Sequence, residues 1–526
     1  MNRKSRREFL RNMAIIGAGA AVTSCIGNMD MFPTQYESYD ALVIGSGFGG
    51  SVSALRLSQA GFKVGLVERG RSWINHDFTS SRQLNKKTTW MSNTLHMPFV
   101  NLEKSISKWA GIIEYNPFQN MNIFNASGVG GGSLVFGATY VQPHQEVFDL
   151  VFPSEVNFDE MNQVYYPRVD SMINISQIPD HIYNSPYYLY SRRFNEHALN
   201  ANMVVRRLPA SYDWGVIDQE LNGEIPKEFL HGDGGFGTRN GAKDSLDKNY
   251  IPQAVATGNT ALHSLHDVQS IQRKNDGYLV TVHQLDEQGN ILANKEMSCK
   301  YLWLCAGAPN TLKLLLRSKS NGHLPALNDR IGKGFGTNGK TFFKRTLRED
   351  TGKYTAYVPA NGVLDIDNPV VPIFVECVPN VLNVFLPGIP QKSLFHVGFG
   401  FSPYRGSFDY NPELDQLEMN WSPDGIRETV NAARSWTDRV NTANPGSYVD
   451  TDLFPNQFLE DTSYHPLGGC VIGDATDVYG RIVEYPNLYV NDATLIPGVL
   501  GANPAYTVAA LAERNIEHII QNDLPS

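Results

Sequence analysis

The stretch Tyr39-Asp40-Ala41-Leu42-Val43-Ile44 runs directly into Gly45-Ser46-Gly47-Phe48-Gly49-Gly50, and this junction decides the fold. Its apolar run predicts a buried strand, and the residues after the glycines predict a helix that reaches about Ala60 and ends at Gly61. Residues 62–67 predict a second strand, which closes with the acid Glu68. A GxGxxG turn between a strand and a helix, followed by such an acid, is the dinucleotide-binding fingerprint of an α/β domain.

Each residue type in this fingerprint has a physical reason. Gly45 permits the tight turn, Gly47 lets a pyrophosphate approach the backbone, and Gly50 lets the helix pack on the strand. The free N–H groups at the start of the helix stabilise phosphates. Glu68 is expected to accept hydrogen bonds from ribose hydroxyls. The predicted nucleotide contacts in this segment are Gly45, Gly47, Phe48, Gly49, Gly50 and Glu68.

The composition excludes several classes of protein. The chain has 526 residues, of which 42% are hydrophobic and 18% charged, an ordinary globular balance. Its formal net charge of −9 argues against nucleic acid as a partner. The five cysteines form no CxxC pair, so we expect neither a metal centre nor a disulfide scaffold.

The first residues have the pattern of an export signal. Residues 5–11, SRREFLR, are typical of a twin-arginine signal, and the apolar stretch 13–22 is too short to span a bilayer. Val-Thr-Ser-Cys at residues 22–25 is similar to a lipobox, with Cys25 as the lipidated residue. We therefore expect export to the periplasm, with a lipid anchor on Cys25 or release from the cell. The alternative is a basic tail on a cytosolic enzyme.

Later motifs decide between NAD and FAD, which share the fingerprint. Residues 127–137, SGVGGGSLVFG, form a second glycine cluster that can lie close to a flat or anionic ligand. This cluster, the Leu-Cys-Ala-Gly-Ala turn at 304–308 and His-Pro-Leu-Gly-Gly-Cys at 465–470 resemble the GMC (glucose–methanol–choline) oxidoreductases. Within that family, residues 463–520 are most similar to the cholesterol oxidases. The resemblance implies non-covalently bound FAD, with further cofactor contacts at Gly128, Gly130, Gly131, Gly132, Ser133, Asp492, Asn503 and Pro504.

Two polar residues of the C-terminal part are expected at the reacting centre. By the resemblance, His465 contacts the substrate hydroxyl, either as a base or as a group that orients it. Asn503 and Pro504 suit the N-cap and first position of a helix whose apolar spacing runs from 505 to 519. In the family the matching asparagine lies against the flavin and the substrate oxygen. We expect Asn503 to serve both as a cap and as this contact.

Glu376 is the third predicted catalytic residue. It lies in an apolar strand pattern, residues 372–378, and shares a face with Phe374 and Val378. Burial there would raise its pKa and make it a plausible proton shuttle. By the resemblance, it moves the steroid C4 proton to C6. The alternative is a carboxylate on a solvated edge strand.

These segments predict an α/β fold with a Rossmann-like FAD-binding domain, interleaved with an α+β substrate domain on a mixed or antiparallel sheet. Residues 1–35 are expected to be signal and linker. The FAD-binding domain takes 36–331, with a lid insertion at about 73–125, and also 453–526. The substrate domain takes 332–452 and supplies a sheet over the cavity.

The resemblance implies oxidation of a 3β-hydroxysteroid to the 3-ketone, with reduction of O2 to H2O2 and isomerisation of the 5-ene to the 4-ene-3-one. The sterol would come from a membrane or lipid particle, through transient contact of a monomer with that surface. Two alternatives stay open. One is an alcohol or sugar dehydrogenase of the family that passes electrons to a carrier, and the other is a non-catalytic flavin- or lipid-binding lipoprotein.

Overall fold

The structure is a computed structural model that describes residues 34–96, 104–451, 454 and 456–525. The predicted export signal and Cys25 lie outside these residues, so this part of the sequence analysis stays a prediction. Within the described ranges, no helix combines the length and apolar character needed to cross a membrane.

The strand of the glycine motif, Gln35–Ile44, lies inside a seven-stranded mixed sheet, here called the nucleotide sheet. It runs parallel to Val64–Val67 on one side and to Ile291–Leu304 on the other. Residues 41–43 are fully buried, because strands flank both edges and a helix covers one face. The strands of this sheet, in spatial order, are Thr260–His263, Val64–Val67, Gln35–Ile44, Ile291–Leu304, Gly277–Leu285 and His266–Lys274, with Leu488–Val490 beside the end of Ile291–Leu304.

The helix after the glycine turn, Phe48–Gln59, packs against the C-terminal helix, Pro504–Asn522. The guanidinium of Arg56 donates to both carboxylate oxygens of the fully buried Glu513, each at 2.7 Å. A charged pair of this bidentate form fixes the angle between the two helices. The end of the chain thus returns to the domain that opens it.

A second seven-stranded sheet, here called the substrate sheet, is antiparallel throughout. Glu376 stands opposite Val397 on one neighbouring strand and Gly362 on the other. Two of its strands, 205–207 and 458–459, come from outside 332–452; the domain division stays a prediction. The strands in spatial order are Tyr448–Val449, Lys340–Thr346, Ser393–Gly400, Ile373–Val378, Asn361–Asp365 and Val205–Arg207, with Phe458–Leu459 also beside Lys340–Thr346.

Smaller elements complete the described part of the chain. The other strands are Thr94–Leu95, Lys104–Ser105, Ile113–Phe118, Met121–Ala126, Ser176–Gln177, Pro209–Ala210, Lys333–Gly336, Gly406–Asn411, Gln416–Asn420, Thr462–Ser463 and Leu467–Gly469. The other α-helices are Gln145–Val151, Phe158–Glu160, Tyr166–Ile173, Asp180–Tyr183, Leu189–Asn200, Trp214–Asn222, Tyr250–Ala256, Asn310–Ser320, Val381–Phe385 and Arg427–Ala443. The predicted fold class, a Rossmann-like domain interleaved with an α+β domain on an antiparallel sheet, is confirmed.

Candidate active site

A cavity of about 700 Å³ extends from the glycine turn of the nucleotide sheet to one face of the substrate sheet. At the first end it is lined by the turn itself and by Glu68. At the far end, here called the reacting end, it is lined by Glu376, His465 and Asn503. The fold therefore brings most of the glycine turn, Glu68 and the three predicted catalytic residues to a single space, although the predicted contact Gly50 does not line it.

The glycine turn is shaped by close backbone contacts. A Cβ atom at Gly49 would lie 1.6 Å from the carbonyl oxygen of Asn491, and one at Gly50 would lie 1.8 Å from that of Gly45. By contrast, no atom lies within 4 Å of a Cβ at Gly47. Gly49 and Gly50 are thus required for packing, whereas Gly47 faces the open cavity, where the phosphates of a dinucleotide are expected.

Hydrogen bonds from Ser46 in the glycine turn, and from Gly70, hold the carboxylate of Glu68 in place. Its Oε2 accepts from the backbone N–H and the hydroxyl of Ser46, at 3.1 and 2.8 Å, and its Oε1 accepts from the N–H of Gly70 at 2.8 Å. A carboxylate oxygen can accept two hydrogen bonds, so Oε1 keeps acceptor capacity. This geometry suits the predicted contact with a ribose hydroxyl.

The second glycine cluster contributes unequally to the cavity. Gly131 and Gly132 line it, and a Cβ at Gly131 would lie 2.8 Å from the Cα of Gly47. The predicted contacts Gly128 and Gly130 are buried and do not line it. Ser133 does not line it either: its hydroxyl donates to the Gly130 carbonyl at 2.7 Å and accepts from the N–H of Leu246 at 3.0 Å.

Asp492 lines the cavity, but its acceptor capacity is used within the protein. Its Oδ2 accepts from the N–H of Gly307 at 2.8 Å and from the hydroxyl of Thr311 at 2.6 Å. Its Oδ1 accepts from the N–H and the hydroxyl of Thr494, at 2.8 and 2.5 Å. The carboxylate therefore positions the turn at 304–308 beside the nucleotide sheet, a role that the sequence does not reveal.

His465 lies at the reacting end, where its ring stacks on Phe399 with 5.4 Å between ring centres. Its Nδ1 lies 3.4 Å from the amide nitrogen of Asn338. That amide has a fixed orientation, because its oxygen accepts from the N–H of Leu500 and its nitrogen donates to the carbonyl of Ala502, both at 2.9 Å. An amide nitrogen only donates, so Nδ1 accepts and the neutral ring carries its proton on Nε2.

Burial keeps this imidazole neutral. It holds the pKa of His465 well below its usual range, with a further lowering by the nearby charge of Lys340. The sequence left open whether His465 is a base or an orienting group. The Asn338 contact favours the orienting role, because Nε2 already carries a proton and can donate it to a substrate oxygen.

Asn503 precedes the C-terminal helix, but its side chain makes no cap hydrogen bond. The expectation that the side chain of Asn503 caps this helix is therefore wrong. Its Oδ1 atom is buried and has no hydrogen-bond partner among the described residues. Pro504, at the first position of the helix, also lines the cavity. The side chain of Asn503 is thus available to a ligand.

Glu376 is 2% exposed, and its Oε1 has no hydrogen-bond partner in the described part of the chain. Burial raises the pKa of Glu376 to about 8, although the positive charge of Lys340 and the amide of Asn503 oppose the rise.

Sequence reasoning missed two residues of the reacting end, Lys340 and Asn338. Residues two apart in a strand point to the same face of the sheet, so the strand pattern around Phe342 could have placed Lys340 on the face of that ring.

The described residues fit FAD. The bare backbone at Gly47 and Gly132 leaves room for a pyrophosphate, and Glu68 keeps an acceptor for a ribose. Unpartnered polar atoms of Glu376 and Asn503 lie at the other end of the same cavity, where an alcohol would meet the flavin. When bound there, FAD accepts a hydride from the carbon that bears the hydroxyl.

Family models and curated relatives match most of the chain. Two models described as GMC oxidoreductase match residues 39–337 and 408–512, and one described as GMC oxidoreductase, C-terminal, matches 338–455. A cholesterol oxidase of Mycobacterium tuberculosis is 25% identical, over 90% of each chain. One of Acinetobacter baumannii is also 25% identical, over 91% of this chain and 94% of that one. An oxygen-dependent choline dehydrogenase of Pseudomonas putida is 23% identical, over 91% and 93%.

A solved structure supports the same fold. The pyridoxine 4-oxidase from Mesorbium loti superposes with a TM-score of 0.61 at 16% identity, covering 92% of this chain and all of that one. With the family models spanning both sheets and the cavity between them, the chain belongs to the GMC oxidoreductase family, as an FAD-binding enzyme that oxidises an alcohol.

Proposed function

We propose that this protein oxidises the 3β-hydroxyl of a cholesterol-like sterol to the 3-ketone, reduces O2 to H2O2, and isomerises the 5-ene to the conjugated 4-ene-3-one. The observation that carries the proposal is Glu376, a carboxyl group buried on an apolar wall beside Asn503. Oxidation of an alcohol needs a group that takes the hydroxyl proton, but this step alone does not require a carboxyl with a raised pKa. Moving a proton between two ring carbons does, because it requires a carboxyl with a raised pKa close to the carbonyl.

The wall around Glu376 suits a flat apolar substrate. Rings and branched side chains from the substrate sheet and the segment before His465 cover this part of the cavity. Burying apolar surface of a ligand contributes about 25 cal/mol per Å², so a steroid nucleus would be held mainly by this contact. The wall residues are Phe342, Val378, Phe395, Val397, Phe399 and Tyr464.

In the oxidation step the residues of the chain orient the alcohol and take its proton. Nε2–H of His465 donates to the substrate oxygen, and the unpartnered Oδ1 of Asn503 accepts from the hydroxyl. In the reactive orientation the hydroxyl hydrogen turns from Oδ1 of Asn503 to the carboxylate of Glu376. As the carbon loses its hydride, the O–H bond breaks and the proton passes to that carboxylate. The ketone oxygen that forms stays hydrogen-bonded to His465.

In the isomerisation step Glu376 acts again, after it has released the first proton to water. Its carboxylate takes a proton from C4, which leaves a dienolate whose negative charge lies on the oxygen held by His465. The carboxylic acid then returns this proton to C6, so that the double bond becomes conjugated with the ketone. A pKa of about 8 lets the same group take and return a proton near neutral pH.

The choline dehydrogenase among the relatives raises a second candidate, an alcohol that carries a quaternary ammonium. The ammonium of Lys340 at the reacting end opposes this candidate, because two positive charges would face each other in an apolar space. A dehydrogenase that passes electrons from a neutral alcohol to a carrier differs from our proposal in its products, and these decide between them.

The test uses the FAD-loaded enzyme with cholesterol in detergent, with hydrogen peroxide and the enone absorbance recorded together. Peroxide with enone supports the proposal. Peroxide without enone contradicts the isomerase step and the role of Glu376 in that step. Oxidation with an artificial acceptor but no peroxide identifies a dehydrogenase, and the absence of all products refutes sterol oxidation. Choline in the same assay is expected to give no peroxide.

We further infer that the enzyme takes its sterol from a membrane or lipid particle. Phe385, Leu386 and Ile389 are 37, 53 and 48% exposed and follow one another closely, and Phe385 also lines the cavity. An exposed apolar segment at a cavity wall is typical of a surface that meets lipid. Export of a monomer with a lipid anchor on Cys25 would place it at such a surface. Comparing initial rates on sterol in vesicles for the wild type and a Leu386→Ser, Ile389→Ser variant tests this inference.

A further inference from the structure

Lys340 is a buried lysine at the reacting end that the steps above do not use. It is 6% exposed, lines the cavity, and lies on the same sheet face as Phe342. Its Nζ lies 4.0 Å from the ring centre of Tyr464 and 4.7 Å from that of Phe342. Among the described residues, no carboxylate oxygen lies within 4.0 Å of this ammonium, so its contacts are aromatic faces.

The strand register places Lys340 close to Glu376. Lys340 pairs with Phe399, and Glu376 pairs with Val397, the residue two positions away on the same central strand. All four residues line the cavity. Successive residues on one face of a strand are about 7 Å apart, so the lysine and the carboxyl face one patch of the cavity from the two outer strands of a three-strand group.

The elements packed around this patch present few titratable groups. The central strand presents Val397 and Phe399, which are apolar, and Asn503, just before the C-terminal helix, presents its amide. Tyr464 and His465 come from the segment between the strands Thr462–Ser463 and Leu467–Gly469. Burial raises the pKa of Tyr464 and lowers that of His465, so both rings are neutral at neutral pH.

Tyr357, from the segment between the strands Lys340–Thr346 and Asn361–Asp365, also lines the cavity and is neutral, because burial raises its pKa. Within the described ranges, the charges that face this patch are therefore those of Lys340 and Glu376. Burial lowers the pKa of Lys340, and the charge of Glu376 opposes this change. Burial raises the pKa of Glu376, and the charge of Lys340 opposes that rise, so each charge favours the ionised form of the other group.

We propose that Lys340 is a positioning residue for Glu376: its ammonium, held across the cavity, favours the ionised carboxylate that takes the substrate's proton. This inference rests on the proton-accepting role of Glu376 proposed above. Opposite charges that face the same apolar space attract strongly. Loss of the ammonium therefore leaves the carboxylate with the Asn503 amide as the neighbour that opposes the effect of burial. The carboxyl then stays protonated to a higher pH and cannot act as a base.

The test compares two substitutions with opposite expected results. Lys340→Met keeps an unbranched apolar chain and removes the charge, whereas Lys340→Arg keeps a charge at every accessible pH. Lys333→Met serves as the control: it removes a lysine that pairs with Asp409 at the surface, outside the cavity. Rates of oxidation and isomerisation by the FAD-loaded enzymes are measured from pH 5 to pH 10.

In the wild type both rates should rise with pH as Glu376 ionises. We expect Lys340→Met to move this rise upward by about one pH unit or more, which lowers the rate at pH 7 about tenfold for each unit. Lys340→Arg should move it downward, and Lys333→Met should leave it in place. A loss of structure would lower the rates of both Lys340 variants without shifts of opposite sign. Shifts in the same direction, or no shift, overturn the proposal.

A second readout does not depend on activity. Infrared difference spectra recorded during a pH titration follow the C=O band of the protonated carboxyl, which is assigned by its absence in Glu376→Gln. We expect the midpoint of this band to rise in Lys340→Met and to fall in Lys340→Arg. If the wild type forms no enone but the band shifts as expected, the proposed function fails and the coupling stands. If enone forms and the band does not shift, the coupling fails.

Discussion

Replacing Glu376 by glutamine should make the stability of the protein less sensitive to alkali. Burial raises the pKa of this carboxyl from 4.5 to about 8, so the protonated form stabilises the folded state. That contribution is fully present below pH 4.5 and is lost as the pH rises through 8. At about 1.4 kcal/mol per pKa unit, the wild type loses about 3–5 kcal/mol of unfolding free energy from this group between pH 5 and pH 9.

Glutamine has nearly the same shape and does not titrate. The unfolding free energy of Glu376→Gln, minus that of the wild type, should therefore rise by about 3–5 kcal/mol between pH 5 and pH 9. Guanidinium unfolding of the FAD-loaded enzymes, followed by tryptophan fluorescence, measures this difference, and the titrating groups that do not interact with Glu376 cancel in it. Lys340 adds to the rise, because loss of the carboxylate lowers its pKa further. Glu413→Gln, at an exposed turn, is the control. A difference that stays constant with pH would refute the buried, protonated carboxyl and the proton shuttle built on it.

Four other predictions concern separate parts of the chain. His465→Ala should slow flavin reduction in stopped-flow experiments by about 10²–10⁴-fold, because the substrate oxygen loses its donor. Asn338→Asp should raise the pH at which His465 titrates by NMR, because a carboxylate then faces Nδ1. Gly47→Ala should weaken FAD binding without lowering the melting temperature of the apoprotein, whereas Gly49→Ala should lower it, because its Cβ would meet the Asn491 carbonyl. Cys25→Ser should abolish incorporation of labelled palmitate during expression, and persistent labelling would exclude Cys25 as the anchor.

The nucleotide end of the site could be predicted from the sequence because its information is local. A strand, a glycine turn, a helix and an acid follow one another within about thirty residues, and each has a pattern of its own. The strand lies at Gln35–Ile44 and the helix at Phe48–Gln59, close to the predicted bounds. Which glycines line the cavity was not predictable. Gly131 faces it and Gly130 does not, because that difference depends on how the second cluster folds against the first.

The reacting end was predicted only in part. His465 and Asn503 lie in recognisable motifs, and Glu376 stands out as an acid in an apolar strand. The role of Asn338 could not be derived from its own neighbours in the chain, because it depends on backbone groups of Leu500 and Ala502 about 160 residues later. No helix cap and no strand pattern encodes such a contact.

Local chemistry along the chain was thus enough to indicate the cofactor fold and the polar groups of the site, since propensity and spacing act over short distances. The protonation states and orientations of the side chains at the reacting end depend on the tertiary structure. Strands and loops that are far apart in the sequence enclose the reacting end of the cavity. Their packing determines the pKa of Glu376, the position of Lys340 near it and the tautomer of His465. Burial and the charges inside it act through that space, and neither can be computed from neighbours in the sequence.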